Sequence, residues 1–333
     1  REAIVPAARR ARRQGDAPAT IVKVPLFGRD PATVDRGRRS GYEPVLNTWP
    51  PDRGRGYRQA MIISDDGPGG VAGTMPAPRI PRILHQTFPT KVLPDALEAN
   101  ARSLRDTNPG WEYRLYDDAD IEAFILASYG RAMLDRYERL SKGYGAARAD
   151  FFRYLLVYQV GGVYLDIKSS AAQPLDAIVR PDDAFLLSQW RNRRGQVHNG
   201  WGIHPELWNF PGGEFQQWFI AAEPRHPFLK AVIDQVIRNI DRYDPLRDVV
   251  GFPAVMRLTG PVAYTRAILP LLDRHPHRRV ADETRLSLIY SVLAGQSHRG
   301  LFGGHYVRKR TPLVEGSGGR MPARVLGWLQ VGR

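Results

Sequence analysis

Cysteine is absent from the 333 residues. That excludes a disulfide framework, a cysteine zinc site, an iron–sulfur cluster and a thiol nucleophile. No run of ~18 apolar residues occurs, so no segment reads as a membrane-spanning helix. The histidines show no HExxH spacing, which excludes a zincin. No RRM, KH, helix-turn-helix or zinc-finger pattern is present, so no nucleic-acid partner is expected. Lysine is scarce: six of the 48 basic residues, so arginine carries the positive charge. Against 34 acids the formal net charge is +14. The arginine excess fits either codon bias or anion binding, and composition alone does not separate them. Hydrophobic content of 43% and charged content of 25% are those of a globular chain, which argues against general disorder. The first residue is Arg1, not Met, which leaves room for an upstream segment.

Residues 1–78 differ in texture from the rest of the chain. Pro and Gly are frequent, and Arg9, Arg10, Arg12 and Arg13 form a basic cluster. Ile21–Leu26 and Ala60–Ile63 read as short strand-like pieces, and Asp66–Gly73 as linker. This stretch is expected to be an irregular extension, with a surface-binding arm as the sharper alternative. Residues 79–310 read as one α/β domain and 311–333 as a tail. The spacing predicts strands at Arg82–Gln86, Glu112–Tyr116, Val163–Ile167 and Phe185–Ser188. It predicts helices at Pro94–Asp106, Ile121–Ser128, Ala132–Leu140, Ala146–Val160, Pro227–Tyr243 and Ala263–Leu272, and a helical segment around Glu214–Ala221. Asp117–Asp120 offers capping oxygens to the second helix. His226-Pro227 suits a helix start. Strands alternating with helices argue a sheet covered by helices.

The most informative stretch is Gly145–Asp176, GAARADFFRYLLVYQVGGVYLDIKSSAAQPLD. A helix runs into a glycine pair, then into an apolar strand that ends on Asp166. Asp150, Arg153 and Tyr154 fall on one helix face by their i, i+3, i+4 spacing. A carboxylate at a strand's carboxyl end is well placed to meet a ligand, since open α/β sheets bind there. Blander roles stand beside these: a surface ion pair for Asp150 and Arg153, and a turn cap for Asp166. Gly161-Gly162 precedes a strand, whereas a dinucleotide fingerprint comes after one, so a Rossmann dehydrogenase is not expected.

Taken together, IPRILHQTF, NPGWEYRLYDD, ARADFFRYLLVYQVGGVYLDIK and PLD resemble the DXD-containing sugar-transfer glycosyltransferases. That family includes fungal initiating mannosyltransferases and bacterial capsule and lipopolysaccharide enzymes, and clostridial glucosylating toxins share its core. The resemblance covers roughly residues 79–310. It implies a GT-A-type mixed sheet, a UDP- or GDP-linked sugar donor, a glycan or other hydroxyl acceptor, and retention of configuration. Retention is compatible with a carboxylate nucleophile, for which Glu214 is one candidate, or with a same-face reaction. The resemblance also implies that Asp150 and Arg153 hold donor sugar and ribose. Asp166, as the first DXD aspartate, would face ribose or metal. His85, Gln86 and Thr87 would lie by the nucleoside. Trp218–Leu229 and Thr259-Gly260-Pro261 would lie on the acceptor side. A cytoplasmic location is expected, peripheral at an inner, anionic membrane face.

One position departs from the pattern. The second DXD carboxylate, which would bind Mn²⁺ or Mg²⁺, is Lys168, and a charged ammonium cannot ligate a metal. Three readings stay open. Lys168 offsets the diphosphate charge without a metal; Asp166 holds a metal with a C-terminal ligand such as His305; or the protein binds nucleotide sugar without turning it over. Arg308, Lys309 and Arg310 would close over the diphosphate in the first case, or form a solvated charge run.

Overall fold

A computed structural model of the chain describes residues 78–244, 248–293 and 310–316. The strand-like pieces before residue 78, the N-terminal arginine cluster, His305, Arg308 and Lys309 lie outside these residues. In chain order the elements are β1 (Ile83–Thr87), α1 (Asp95–Thr107), β2 (Glu112–Tyr116), α2 (Asp118–Tyr129), α3 (Arg131–Arg139) and α4 (Gly145–Val160). Next come β3 (Gly162–Leu165), β4 (Ser170–Ala171), α5 (Leu175–Ile178), β5 (Leu186–Gln189), β6 (Phe219–Ala222) and α6 (Pro227–Arg242). Last are α7 (Phe252–Leu258), α8 (Pro261–Ile268), β7 (Arg278–Asp282) and β8 (Leu288–Ile289).

The main sheet has the order β2-β1-β3-β6. β1 runs parallel to β2 and β3, while β6 pairs antiparallel to β3. This is the mixed, helix-flanked sheet expected of a GT-A-type fold. Alternation along β3 sends its side chains to two cores. Val163 and Leu165 join Leu84, Trp111, Leu186 and Phe219 on one face. Tyr164 joins the other, with Phe151, Phe152 and Leu155 of α4 and Val232 and Val236 of α6. α4 is buried on most of its surface, which suits its apolar composition all round and makes it the central helix.

Local chemistry sets the element ends. Asp117 accepts from the Asp120 amide at 2.9 Å while the Asp120 carboxylate reaches back to the Asp117 amide, forming a capping box for α2. His226 caps α6 and Pro227 takes the first helical position. Gly161 ends α4 with φ +72°, and Gly162 opens β3 with φ +99°. A Cβ on Gly162 would lie 2.6 Å from the Ile83 carbonyl oxygen, so only glycine lets β3 approach β1 this closely.

Two expectations change. The segment around Glu214–Ala221 is not helical: Phe219–Ala222 forms β6, with Gly162 opposite Ala222 and Leu165 opposite Phe219. Four consecutive buried apolar residues satisfy a sheet sandwiched between two cores as well as they satisfy a helix. The start of the expected tail also belongs to the packed body. Leu313 and Val314 are buried, and Val314 bridges to Leu140.

Candidate active site

Asp166 comes directly after the last residue of β3. Its amide donates to the Trp218 carbonyl at 2.8 Å and its carbonyl accepts from Gln86 Nε2 at 3.1 Å. The backbone at this strand end is therefore fixed from both sides. Its carboxylate stays partly open, with 23% of the side chain exposed. Beneath it lies Arg153 on α4, whose Nη2 is 3.1 Å from Asp166 Oδ1 and 3.1 Å from Asp150 Oδ1. Arg153 Nη1 donates to the Gln217 carbonyl at 2.7 Å, and the guanidinium carbon lies 4.7 Å from the Tyr164 ring centroid.

Asp150 is enclosed. Its Oδ1 accepts from Gln217 Nε2 at 3.0 Å and its Oδ2 from Thr259 Oγ1 at 3.1 Å. Tyr154 completes the shell: its hydroxyl reaches Gln217 Oε1 at 3.1 Å and the Thr259 carbonyl at 2.8 Å. So the helix face read from the sequence is real, but it is no surface ion pair. Burial pushes the Asp150 carboxyl above its ordinary pKa, against the pull of Arg153 and the two hydrogen bonds. Burial also opposes charge on Arg153, yet Asp166, Tyr164 and Asp150 outweigh it and hold the guanidinium protonated. Asp150 and Arg153 spend these contacts on one another, on Gln217 and on Asp166. In this arrangement they hold the carboxylate at the surface, and Asp166 is the member of the trio open to a ligand.

The side chains of the first-strand residues are engaged within the sheet. His85 is fully buried; one ring nitrogen lies 2.9 Å from the Gly161 carbonyl and the other 3.1 Å from the Tyr116 hydroxyl. The neutral ring with Nε2–H donating to Gly161 satisfies both contacts. Gln86 is also fully buried; its Oε1 accepts from the Tyr113 hydroxyl at 2.9 Å. Through these side-chain contacts both tie β1 to its neighbours. Thr87 is partly exposed and lies 3.1 Å from the Tyr164 hydroxyl, which itself is 3.4 Å from Asp166 Oδ1.

Burial lowers the His85 pKa from 6.5 to about 4, despite the Gly161 hydrogen bond. Below its unfolded value the unfolded chain then binds the extra proton, so stability falls as pH drops from about 6.5 to about 4. The full shift is worth about 3 kcal/mol. Burial lowers His226 to about 4 as well, adding in the same direction. Denaturant midpoints for wild type and His85→Gln at neutral pH and near pH 4.5 test this. The wild type should lose more stability on acidification than the variant, and equal losses would exclude His85 as a source.

Lys168 occupies the turn after Asp166. Its Nζ donates to the Tyr290 hydroxyl at 2.9 Å and lies 4.1 Å from that ring's centroid. The turn is pinned to the end of β8 by the Ser169 hydroxyl on the Tyr290 carbonyl and by the Val292 amide on the Lys168 carbonyl. Among the described residues no acid forms an ion pair with Lys168, and no group of three or more acids and histidines converges as a metal site. On Asp166 itself, Arg153 and the Tyr164 hydroxyl both lie against Oδ1. The suggested second ligand, His305, lies outside the described residues.

Beyond Tyr290 is an aromatic cluster that spacing did not reveal. The Tyr290 ring packs on Trp190 at 5.1 Å, Trp218 at 5.5 Å and Trp201 at 5.9 Å. Glu214 lies behind it, its Oε1 accepting from Trp190 Nε1 at 2.8 Å and its Oε2 lying 2.6 Å from His204 Nε2. The nearest sequence signal was the tryptophan content of residues 190–218, which does not by itself say which rings meet.

The family described as "Glycosyltransferase sugar-binding region containing DXD motif" matches residues 94–185. The chain is 30% identical over 206 residues to "Inositol phosphoceramide mannosyltransferase 3" of Schizosaccharomyces pombe, covering 62% of this chain and 49% of that protein. It is 27% identical over 205 residues to the "Initiation-specific alpha-1,6-mannosyltransferase" of the same yeast, covering 58% and 49%. The chain thus spans about half the length of these curated relatives. Among solved structures, "PaToxG Glycosyltransferase" superposes with a TM-score of 0.43 at 18% identity, covering 60% of this chain and 72% of that one. The UDP-bound glycosyltransferase domain of the YGT toxin gives 0.40 at 10% identity, covering 66% and 82%. Both curated relatives are fungal mannosyltransferases; they lend nothing to the capsule and lipopolysaccharide expectation. The stretch similar to that family, residues 94–185, is the one that holds Asp150, Arg153, Asp166 and Lys168.

Proposed function

We propose that the chain moves a hexose from a UDP- or GDP-linked sugar to a hydroxyl of a glycan or lipid-linked acceptor, with retention. Asp166 carries the reading. It is a carboxylate fixed at the carboxyl end of a parallel strand, held by a buried arginine and partly open to a ligand. The names of the fungal relatives favour mannose as the hexose and a phosphoinositol-headed lipid as one acceptor class. An acceptor of that class places the enzyme against an anionic membrane face. In the reaction the bond from the anomeric carbon to the diphosphate breaks and a bond to the acceptor oxygen forms. Both oxygens of Glu214 are engaged by Trp190 and His204, which favours the same-face course over attack by this carboxylate. The leaving phosphate oxygen then takes the acceptor proton. Positive charge must stand where the diphosphate develops its negative charge, and Lys168 is the group that supplies it.

Metal independence is the consequence of that role. Sugar release from a panel of GDP- and UDP-sugars should survive EDTA. Lys168→Ala should raise donor KM or lower kcat by about tenfold or more, the loss of a charge-assisted contact. Lys168→Asp restores the two-carboxylate motif and should make residual activity depend on Mn²⁺. Full Mn²⁺ dependence of the wild type would refute the lysine role. Thermal stabilisation by a donor without release of sugar would instead identify a nucleotide-sugar binder.

A further inference from the structure

The segment between β5 and β6 exposes more apolar surface than a water-facing loop requires. Trp208 is 85% exposed, Val197 77%, Ile203 57% and Trp201 47%. Scattered apolar side chains on a surface are ordinary, but these four fall within twelve residues, and two are tryptophan. Tryptophan favours the boundary between headgroups and acyl chains, where its ring is buried and its N–H stays wet. Charge on the segment is predominantly positive. Arg193 and Arg194 are exposed and Arg191 partly so. The one acid in residues 191–209 is Glu206, which is ion-paired to Arg257.

The loop is held in place. Asn192 Nδ2 donates to the carbonyls of Trp201 and Gly212 at 2.8 Å each. Glu214 clamps Trp190 and His204 from below. Gly202, at φ +69°, lies where a Cβ would be 2.6 Å from Trp190 and 2.8 Å from Glu214, so backbone packs directly on the clamp. Leu207 turns inward and is buried while its neighbour Trp208 turns out. A fixed frame therefore presents the apolar side chains to the outside. The inner side of the frame is continuous with the site, since the Trp201 ring packs 5.9 Å from Tyr290, the partner of Lys168.

We propose that residues 191–209 form a membrane-docking loop that seats Trp208, Ile203 and Val197 in an anionic bilayer surface, with Arg193 and Arg194 on the headgroups. A bilayer is favoured over a protein partner because its interface accepts unpaired arginine and wet tryptophan together without a matched surface. Docking would bring a lipid-borne acceptor to Asp166 and Lys168; that consequence rests on the function proposed above, while the docking itself does not.

Co-sedimentation of the full chain with phosphatidylcholine vesicles, with and without phosphatidylserine, tests the proposal. The double variant Ile203→Ser with Trp208→Ser should lose at least about tenfold in partitioning to the anionic vesicles, the burial of two large apolar side chains. Arg193→Gln with Arg194→Gln should lose about tenfold at low salt and little at high salt. Brominated lipids should quench tryptophan fluorescence in the wild type and quench it less in Trp208→Ser. Donor turnover in vesicle-free solution should be unchanged in both double variants. Wild-type chain that ignores vesicles overturns the proposal. So does equal partitioning of the Ile203/Trp208 variant, which would assign binding to another part of the chain. So does wild-type self-association that this variant abolishes, since the face would then cover a second copy. Vesicle binding in the expected pattern by a chain without donor turnover refutes the proposed function and leaves the docking loop standing.

Discussion

Arg153→Met destabilises the fold by about 3–5 kcal/mol, the range for breaking a buried ion pair from one side. Side-chain exposures of 4% for Arg153 and 5% for Asp150 make this the most deeply buried pair on α4. Removing the guanidinium leaves Asp150 enclosed with Gln217 and Thr259 as its hydrogen-bond donors and no cation. Burial already pushes that carboxyl up in the wild type, and without Arg153 it rises further. A carboxyl whose folded pKa lies above its unfolded value costs stability increasingly as pH rises above the unfolded value, and in full once pH exceeds the folded pKa. It ceases to do so as pH falls toward the unfolded value of 3.8. The stability gap between wild type and variant should therefore narrow on acidification, beyond the loss that His85 and His226 impose on both. Asp150→Asn added to Arg153→Met should recover much of the gap, because a neutral amide needs no counter-charge. Denaturant unfolding of the four proteins of this cycle measures the coupling. A single-variant loss under about 1 kcal/mol, or no recovery in the double variant, would show that the two groups are not coupled.

How much of this was legible in the sequence depends on how far apart the partners are. The Asp150–Arg153 contact is one turn of helix, and periodicity alone placed both on one face. Gly161-Gly162 marked the reversal into β3, and the strand-end aspartate was implied by the apolar run before it. Arg153 meeting Asp166 needs α4 and β3 to be antiparallel neighbours, which a helix and strand joined by a glycine pair almost enforce. Gln217, Thr259 and Tyr290 lie 67, 109 and 122 residues from their partners Asp150 and Lys168. Nothing local links them. Gln217 stayed hidden for a further reason: its segment looked helical and is in fact the approach to β6. His85 shows the same limit from another side. The family resemblance suggested a ligand contact there, and nothing local said that the sheet takes up both ring nitrogens of the side chain.

Asp166→Asn should cost roughly 10²–10³-fold in transfer, the scale seen when one pre-organised charge-stabilising group is lost, and leave the fold nearly as stable as wild type. The substitution keeps the shape, and the backbone bonds to Trp218 and Gln86 do not involve the side chain. It frees one carboxylate's claim on Arg153, which retains Asp150 and the Gln217 carbonyl. Exposure of 23% keeps the residue within reach of a ligand, so its loss should fall on kcat and on donor affinity together. Asp150→Ala makes the contrast. Asp150 is enclosed and acts through Arg153 and Gln217, so it is a positioning residue; its removal should abolish transfer by letting Asp166 and Gln217 relax, with a measurable fall in stability. Asp150→Asn, which preserves most of the hydrogen bonds, should restore part of the activity, whereas no substitution at Asp166 should. Initial rates and donor titrations for the three variants, beside their unfolding curves, separate the roles. Wild-type rates in both Asp166→Asn and Asp150→Ala would remove the site from this end of β3 altogether.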